Sequence, residues 1–177
     1  MTDTSPPDRA EPFAPAPEAE RALAENARHV AAFDRTTGAA PPSRRVAVVA
    51  CMDSRLTVEE VLGVRSGEAH IIRNAGGLAT DDAIRSLVIS QHLLGTREVI
   101  VVEHTGCGML TFEDEPVRAR LAETTGTAVD LPLQPFTELE TNLVAQVERI
   151  RRHPWIMDVP VSGLIYDIET GRLRRVV

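Results

Sequence analysis

The chain contains no lysine: all nineteen of its basic residues are arginine. This absence excludes a lysine nucleophile and a Walker-type phosphate lysine. We read it as a bias of composition and not as a site. Aromatic residues are scarce as well, at 3%, while hydrophobic residues reach 43%, so the core has to be aliphatic. Positive charge is in deficit, 19 basic against 26 acidic residues and a net −7. An acidic chain is poorly suited to track a phosphate backbone, and no nucleic-acid partner is expected. Long apolar runs are missing too. The longest, Val46 to Met52, is far too short to cross a bilayer. The first twenty residues, rich in proline and acid, lack the apolar stretch of a signal peptide. These features together predict a cytoplasmic protein with no membrane partner. Only two cysteines are present, which rules out a secreted disulfide scaffold. In a reducing compartment such a pair is catalytic, metal-binding or simply buried.

A length of 177 residues suits one domain with its own core and a terminal extension. Residues 1–17 hold five of the twelve prolines and no apolar periodicity, the composition of a disordered tail. Residues 18–177 read as a single domain, with an N-terminal helix within 18–37 and an α/β core over 44–177. Glu18 to Phe33 carries a thin apolar stripe of Leu23, Ala27, Val30 and Ala31. A stripe that narrow suits packing on a second subunit. Gly38 to Ser43 reads as a linker. Val46 to Ala50 is continuously apolar, as in a strand buried on both faces. Thr57 and Glu60 predict a capping box for a short helix. A second strand is expected over Glu68 to Ile72, followed by a turn at Asn74 to Gly77. Thr80 then caps a longer helix with Ile84, Leu87, Val88 and Gln91 inward, ending near Gly95. Glu98 to Val102 predicts a third strand. The stretch around Pro116 to Glu123 and that over Thr137 to Arg152 read as helices. Leu164 to Ile168 and Leu173 to Val177 read as a hairpin. Strands alternating with helices imply an α/β domain with a mostly parallel central sheet flanked by helices. His70 and His92 are expected as packed or surface histidines. Asp81 and Asp82 suit a helix first turn. Trp155 and Tyr166 are expected as core or interface anchors.

In such sheets, active sites gather at the carboxyl ends of strands. The first strand runs into Cys51-Met52-Asp53-Ser54-Arg55, and the third into Glu103-His104-Thr105-Gly106-Cys107-Gly108. If the two strands are neighbours, Cys51, His104 and Cys107 converge. Two thiolates and an imidazole suit Zn2+, and three protein ligands leave the fourth position open, as catalytic sites require. Gly106 and Gly108 are expected to give the ligand turn room for positive φ. The plainer alternative makes Cys51 and Cys107 buried small hydrophobes and His104 a strand cap. Asp53 and Arg55 read either as a surface ion pair or as something more. A bidentate Arg would orient the carboxylate, which would accept a hydrogen bond from water on the metal or ligate the metal itself.

Three motifs, Cys51-Met52-Asp53-Ser54-Arg55, Ile71-Ile72-Arg73-Asn74-Ala75-Gly76-Gly77 and His104-Thr105-Gly106-Cys107-Gly108-Met109, resemble in order and spacing those of the β-class carbonic anhydrases. The match runs from about Arg45 to Met109 and is closest to a compact bacterial branch. The resemblance implies a sheet order of 2-1-3-4 with an antiparallel edge strand. It also implies a homodimer or dimer of dimers, with N-terminal helices lying on the partner. One Zn2+ per chain would be held by Cys51, His104 and Cys107, beside a catalytic pair of Asp53 and Arg55. The implied reaction is reversible hydration of carbon dioxide to bicarbonate and a proton. Hydrolysis of carbon disulfide or carbonyl sulfide on the same scaffold is the enzymatic alternative. A non-catalytic zinc or redox protein is the other. Two departures stand out. Plant-like members hold substrate with a Gln where this chain has Pro42. Members with a regulatory bicarbonate site carry a Trp where it has Val48, although Arg73 matches the Arg of that site.

Overall fold

The computed structural model describes residues 17–33 and 40–177. The chain divides into two units, Met1–Thr37 and Gly38–Val177. The expected tail falls almost wholly outside the described residues. The first unit contributes one helix, α1 (Pro17–Ala31), with acid in its first turn, Arg28 and His29 in its last, and no buried residue. It stops short of the expected Phe33.

The second unit is a five-stranded sheet in the order β2-β1-β3-β4-β5. Its strands are β1 (Val46–Cys51), β2 (Ala69–Asn74), β3 (Glu98–His104), β4 (Val161–Tyr166) and β5 (Leu173–Arg175). Pairing is parallel among the first four and antiparallel between β4 and β5. The helices are α2 (Val58–Leu62), α3 (Asp81–His92), α4 (Asp114–Thr125) and α5 (Leu139–Arg152). This is the expected fold class.

Every residue of β1 is buried, and side-chain alternation explains how a continuous apolar run is used. Ala47 and Val49 join the cluster built with Ala83, Ile84 and Leu87 of α3 and Leu143, Val147 and Ile150 of α5. Val48 and Ala50 face the other cluster, with Leu56, Val58, Val102 and Met109. The same alternation on β3 sends Val99 and Val101 toward α3 and α5 and Val102 the other way.

Strand ends depart from the sequence expectation where a neighbour decides them. β2 runs on through Arg73 and Asn74 because they pair with Ala50 and Cys51. β4 begins at Val161, opposite Val99, and β5 is only three residues long. The helix of α3 ends at His92, before Leu94. Thr57 occupies the N-cap of α2 without bonding a backbone N–H. Its hydroxyl instead donates to the Glu60 carboxylate at 2.9 Å, so the expected capping box does not form. Thr80 does cap α3, accepting from the Ala83 N–H, and Asp81 and Asp82 lie in that first turn. His70 bonds the Ser90 hydroxyl and His92 the Trp155 carbonyl. Trp155 is not a core residue, being 67% exposed, whereas Tyr166 packs half-buried on the cluster around Val48.

Candidate metal centre

Strands β1 and β3 are parallel neighbours with Ala50 opposite Val102. Their carboxyl ends therefore open on the same sheet edge. Cys51 closes β1 and His104 closes β3. The chain then turns through Gly106, at φ 62°, and Cys107 opens a short helical turn over Gly108–Leu110. Gly106 has the positive φ expected of it. Gly108 does not, and a side chain there would meet nothing within 4 Å. One glycine suffices to make the ligand turn.

The three ligand atoms of Cys51, His104 and Cys107 lie within 4.8 Å of one another, and all three residues are buried. The two Sγ atoms are 3.9 Å apart. His104 has 0% exposure. Its Nδ1 donates to the Thr105 carbonyl at 2.9 Å, which selects the tautomer with a bare Nε2. That Nε2 is buried and has no hydrogen-bond partner among the described residues, a costly state for an imidazole nitrogen in an apolar setting.

The thiols are in conflict. Cys107 donates to Cys51 and lowers its pKa, with help from His104 and from the backbone of Asp53 and Gly76. Cys107 is the partner that keeps the proton, and its pKa rises as a result. Two thiolates that close cannot both be charged without a cation between them. Burial works against an imidazolium at His104, but the Cys51 sulfur, the Thr105 carbonyl and the Asp53 carboxylate together outweigh it and raise the pKa. A soft divalent cation would relieve all three groups at once: it takes both thiolates and the bare nitrogen. The donor set fits zinc.

Asp53 lies beside this centre, its Oδ2 3.7 Å from His104 Nε2. Arg55 grips it with Nε to Oδ1 at 2.9 Å and Nη2 to Oδ2 at 2.7 Å. The Arg55 backbone N–H adds a third bond at 2.9 Å. These bonds hold the Asp53 carboxyl well below the usual carboxylate range. The Arg55 Nη2 also donates to the Gly106 carbonyl at 3.0 Å, so the same guanidinium braces the ligand turn. Arg73 donates to the carbonyls of Cys51 at 3.0 Å and Asp53 at 2.7 Å. Nε and Nη2 of its guanidinium are thus committed to backbone, and Val48 is fully buried core.

A cavity of about 300 Å³ opens over the centre, walled by Met52, Ala75, Gly76, Met109 and Phe112. Apart from the candidate ligands and Asp53, this lining is apolar. It suits a small non-polar molecule.

A family model for carbonic anhydrase matches residues 46–173, a span that contains all of these groups. The chain belongs to the β-carbonic anhydrase family. β-Carbonic anhydrase 1 of Mycobacterium tuberculosis (strain H37Rv) is 44% identical over 77% of this chain and 84% of its own length. A carbonic anhydrase structure from Streptococcus mutans superposes with a TM-score of 0.86 at 40% identity, covering 90% of this chain and 97% of the other. A carbon disulfide hydrolase from Acidianus (strain A1-3) is 40% identical over 76% of this chain and 78% of its own. The mostly parallel sheet with an antiparallel edge strand is the architecture expected of this family.

Some residues of this β-carbonic anhydrase centre have no individual role in the sequence reading. Thr105 sets the His104 tautomer through its backbone, which no side-chain motif reveals. Gly77, at φ 69°, brings the 74–79 loop against the β1 tip: a Cβ there would sit 2.9 Å from the Cys51 nitrogen. Glu103 is 1% exposed, and its one signal in the sequence is a lone acid placed between the apolar run Val99 to Val102 and His104.

Proposed function

We propose that this chain hydrates carbon dioxide reversibly to bicarbonate and a proton, with one zinc ion held by Cys51, His104 and Cys107. The observation that carries the reading is the bare, buried Nε2 of His104, which has no partner among the described residues and belongs to a cluster with two thiols. Zinc, when bound, supplies Lewis acidity and brings the pKa of a coordinated water toward neutrality. The residues around it do the rest. Asp53 accepts a hydrogen bond from the attacking water and so orients its lone pair. Arg55 keeps that carboxylate turned away from the metal position. The wall of Met52, Ala75, Met109 and Phe112 admits a non-polar substrate and keeps bulk water from competing. The released proton passes to solvent or buffer.

A second reading is hydrolysis of carbon disulfide or carbonyl sulfide by the same residues. The relative of that name at 40% identity supports it, and an apolar cavity suits those substrates as well. The test is zinc content per chain together with stopped-flow carbon dioxide hydration and sulfide release from carbon disulfide. Stoichiometric zinc with carbon dioxide turnover supports the first reading, and dominant sulfide release the second. Zinc without either turnover would leave a non-catalytic zinc or thiol protein.

The functional unit, in this reading, is residues 18–177 as a homodimer or a dimer of dimers. Support comes from α1, whose Leu23 and Val30 are 65% and 63% exposed on a helix with no buried residue. A compact monomer in sedimentation at micromolar concentration would contradict it. Among the described residues no helix is long and apolar enough to cross a membrane, and two free thiols suit a reducing cytoplasm.

A further inference from the structure

Glu103 and His104 are consecutive in β3, so their side chains point to opposite faces of the sheet. His104 joins the metal cluster. Glu103 faces α5, where its Oε1 accepts from Asn142 Nδ2 at 2.7 Å. Asn142 Oδ1 accepts from Gln146 Nε2 at 3.0 Å, one helical turn further on. Gln146 Oε1 accepts from the backbone N–H of Ala79 at 2.9 Å. The direction of this chain is forced. Ala79 N–H can only donate, so Gln146 must offer it oxygen and turn its NH₂ to Asn142. Asn142 must then turn its own NH₂ to Glu103.

The far end of the chain reaches the other ligand strand. Ala79 follows Leu78, whose N–H and C=O are both held by the Asn74 side chain at 2.8 Å. Gly77, just before it, is the residue packed against the Cys51 backbone. Ala75 and Gly76 of the same loop line the cavity. One run of hydrogen bonds, on the face of the sheet away from the metal cluster, thus connects the strand that ends in His104 with the loop that backs Cys51. The Oε2 of Glu103 has no partner, so Asn142 alone orients that carboxyl among the described residues.

We infer that Asn142 and Gln146 are positioning residues of the metal centre, setting the β3 tip against the 74–79 loop through this chain. The inference rests on the zinc reading above. Neither residue touches the cavity or a ligand atom, and both act through backbone they hold in place. Coupled amides at i and i+4 polarise one another, which makes the chain stiffer than isolated contacts.

The test uses the full chain with Asn142→Leu and Gln146→Leu, and Glu103→Gln as the conservative variant that keeps an acceptor for Asn142. Three quantities are read: zinc affinity by chelator competition, the ligand-field absorption of the cobalt(II)-substituted protein, and Tm. Both leucine variants should bind zinc about 10–100-fold more weakly and shift the cobalt bands, while Glu103→Gln stays close to the unsubstituted chain. If the leucine variants do not fold, Asn142→Ala, which removes the amide without adding bulk or charge, is read the same way. Variants with a lowered Tm but unchanged zinc affinity and cobalt spectrum would overturn the inference and reduce the chain to core structure. An unsubstituted protein that takes up no zinc would overturn it together with the proposed function.

Discussion

Arg55 holds both oxygens of Asp53, at 2.9 Å and 2.7 Å, while Oδ2 of that carboxylate stands 3.7 Å from the bare nitrogen of His104. The acid is close enough to serve the metal position and is restrained from occupying it. Replacing Arg55 with Ala removes the fork and leaves only the backbone bond. Asp53 should then turn toward the metal, and kcat/KM should fall about 10–100-fold, the usual effect of losing an outer partner in a metal site. X-ray absorption of the zinc-loaded variant reads the change directly, as an added oxygen ligand. An unaltered coordination shell with unaltered kinetics would remove Arg55 from the mechanism.

Cys107→Ser tests the ligand set. Only Cys51 and His104 would remain to hold a soft cation, because a serine hydroxyl can still donate to the Cys51 sulfur but supplies no thiolate. Zinc content measured by mass spectrometry should drop to background, and carbon dioxide hydration with it. Full occupancy with normal turnover would refute the assignment.

The pH dependence of activity should be shallow. Val48 is buried aliphatic core where a regulatory anion site of the family would need a Trp, and Nε and Nη2 of Arg73 are held by two backbone carbonyls. As pH falls below neutrality, log kcat/KM should decline with a slope no steeper than one proton. A steeper decline, or Asp53 bound to the metal in the unsubstituted protein near neutral pH, would contradict this.

Glu103 predicts a stability trend of defined sign. Burial pushes its carboxyl up to about 8, above the unfolded value of about 4.3. Between those values the folded state binds more protons than the unfolded one, so this residue's contribution to stability falls as pH rises. Below the lower value the two states are equally protonated and the contribution is flat. Glu103→Gln removes the titration and keeps the acceptor. The urea midpoint of the variant should therefore gain on that of the unsubstituted chain as pH rises from about 5 toward 9. Parallel midpoints across that range would show that Glu103 is not held neutral by the fold.

Gly77→Ala should destabilise by about 1–3 kcal/mol, from an unfavourable positive φ and a close approach to backbone. The Cβ would meet the Cys51 nitrogen at 2.9 Å and the Val102 carbonyl at 3.0 Å, atoms that cannot yield without moving a ligand strand. Thermal unfolding checks it, and a variant as stable as the parent would show that the loop stands off the strands.

Local pattern alone determined the strand run Val46 to Ala50, a helix within Thr137 to Arg152, and the residue types able to hold zinc. Each is written in neighbouring positions: apolar continuity marks a strand covered on both faces, and the His104-to-Cys107 spacing marks a turn. That Cys51 joins them needed the additional premise that β1 and β3 are neighbours. The tertiary structure decided what depends on partners distant in the chain. It extended β2 to Asn74 because Cys51 lies opposite, freed Gly108 from the role expected of it, left Trp155 exposed, and committed Arg73 to backbone. It also brought Asn142 to Glu103, thirty-nine positions away. Hydrophobic periodicity records which face of an element is buried. It carries no record of which polar group will stand opposite once the faces close, because a hydrogen bond is set by distances between atoms and not by order along the chain.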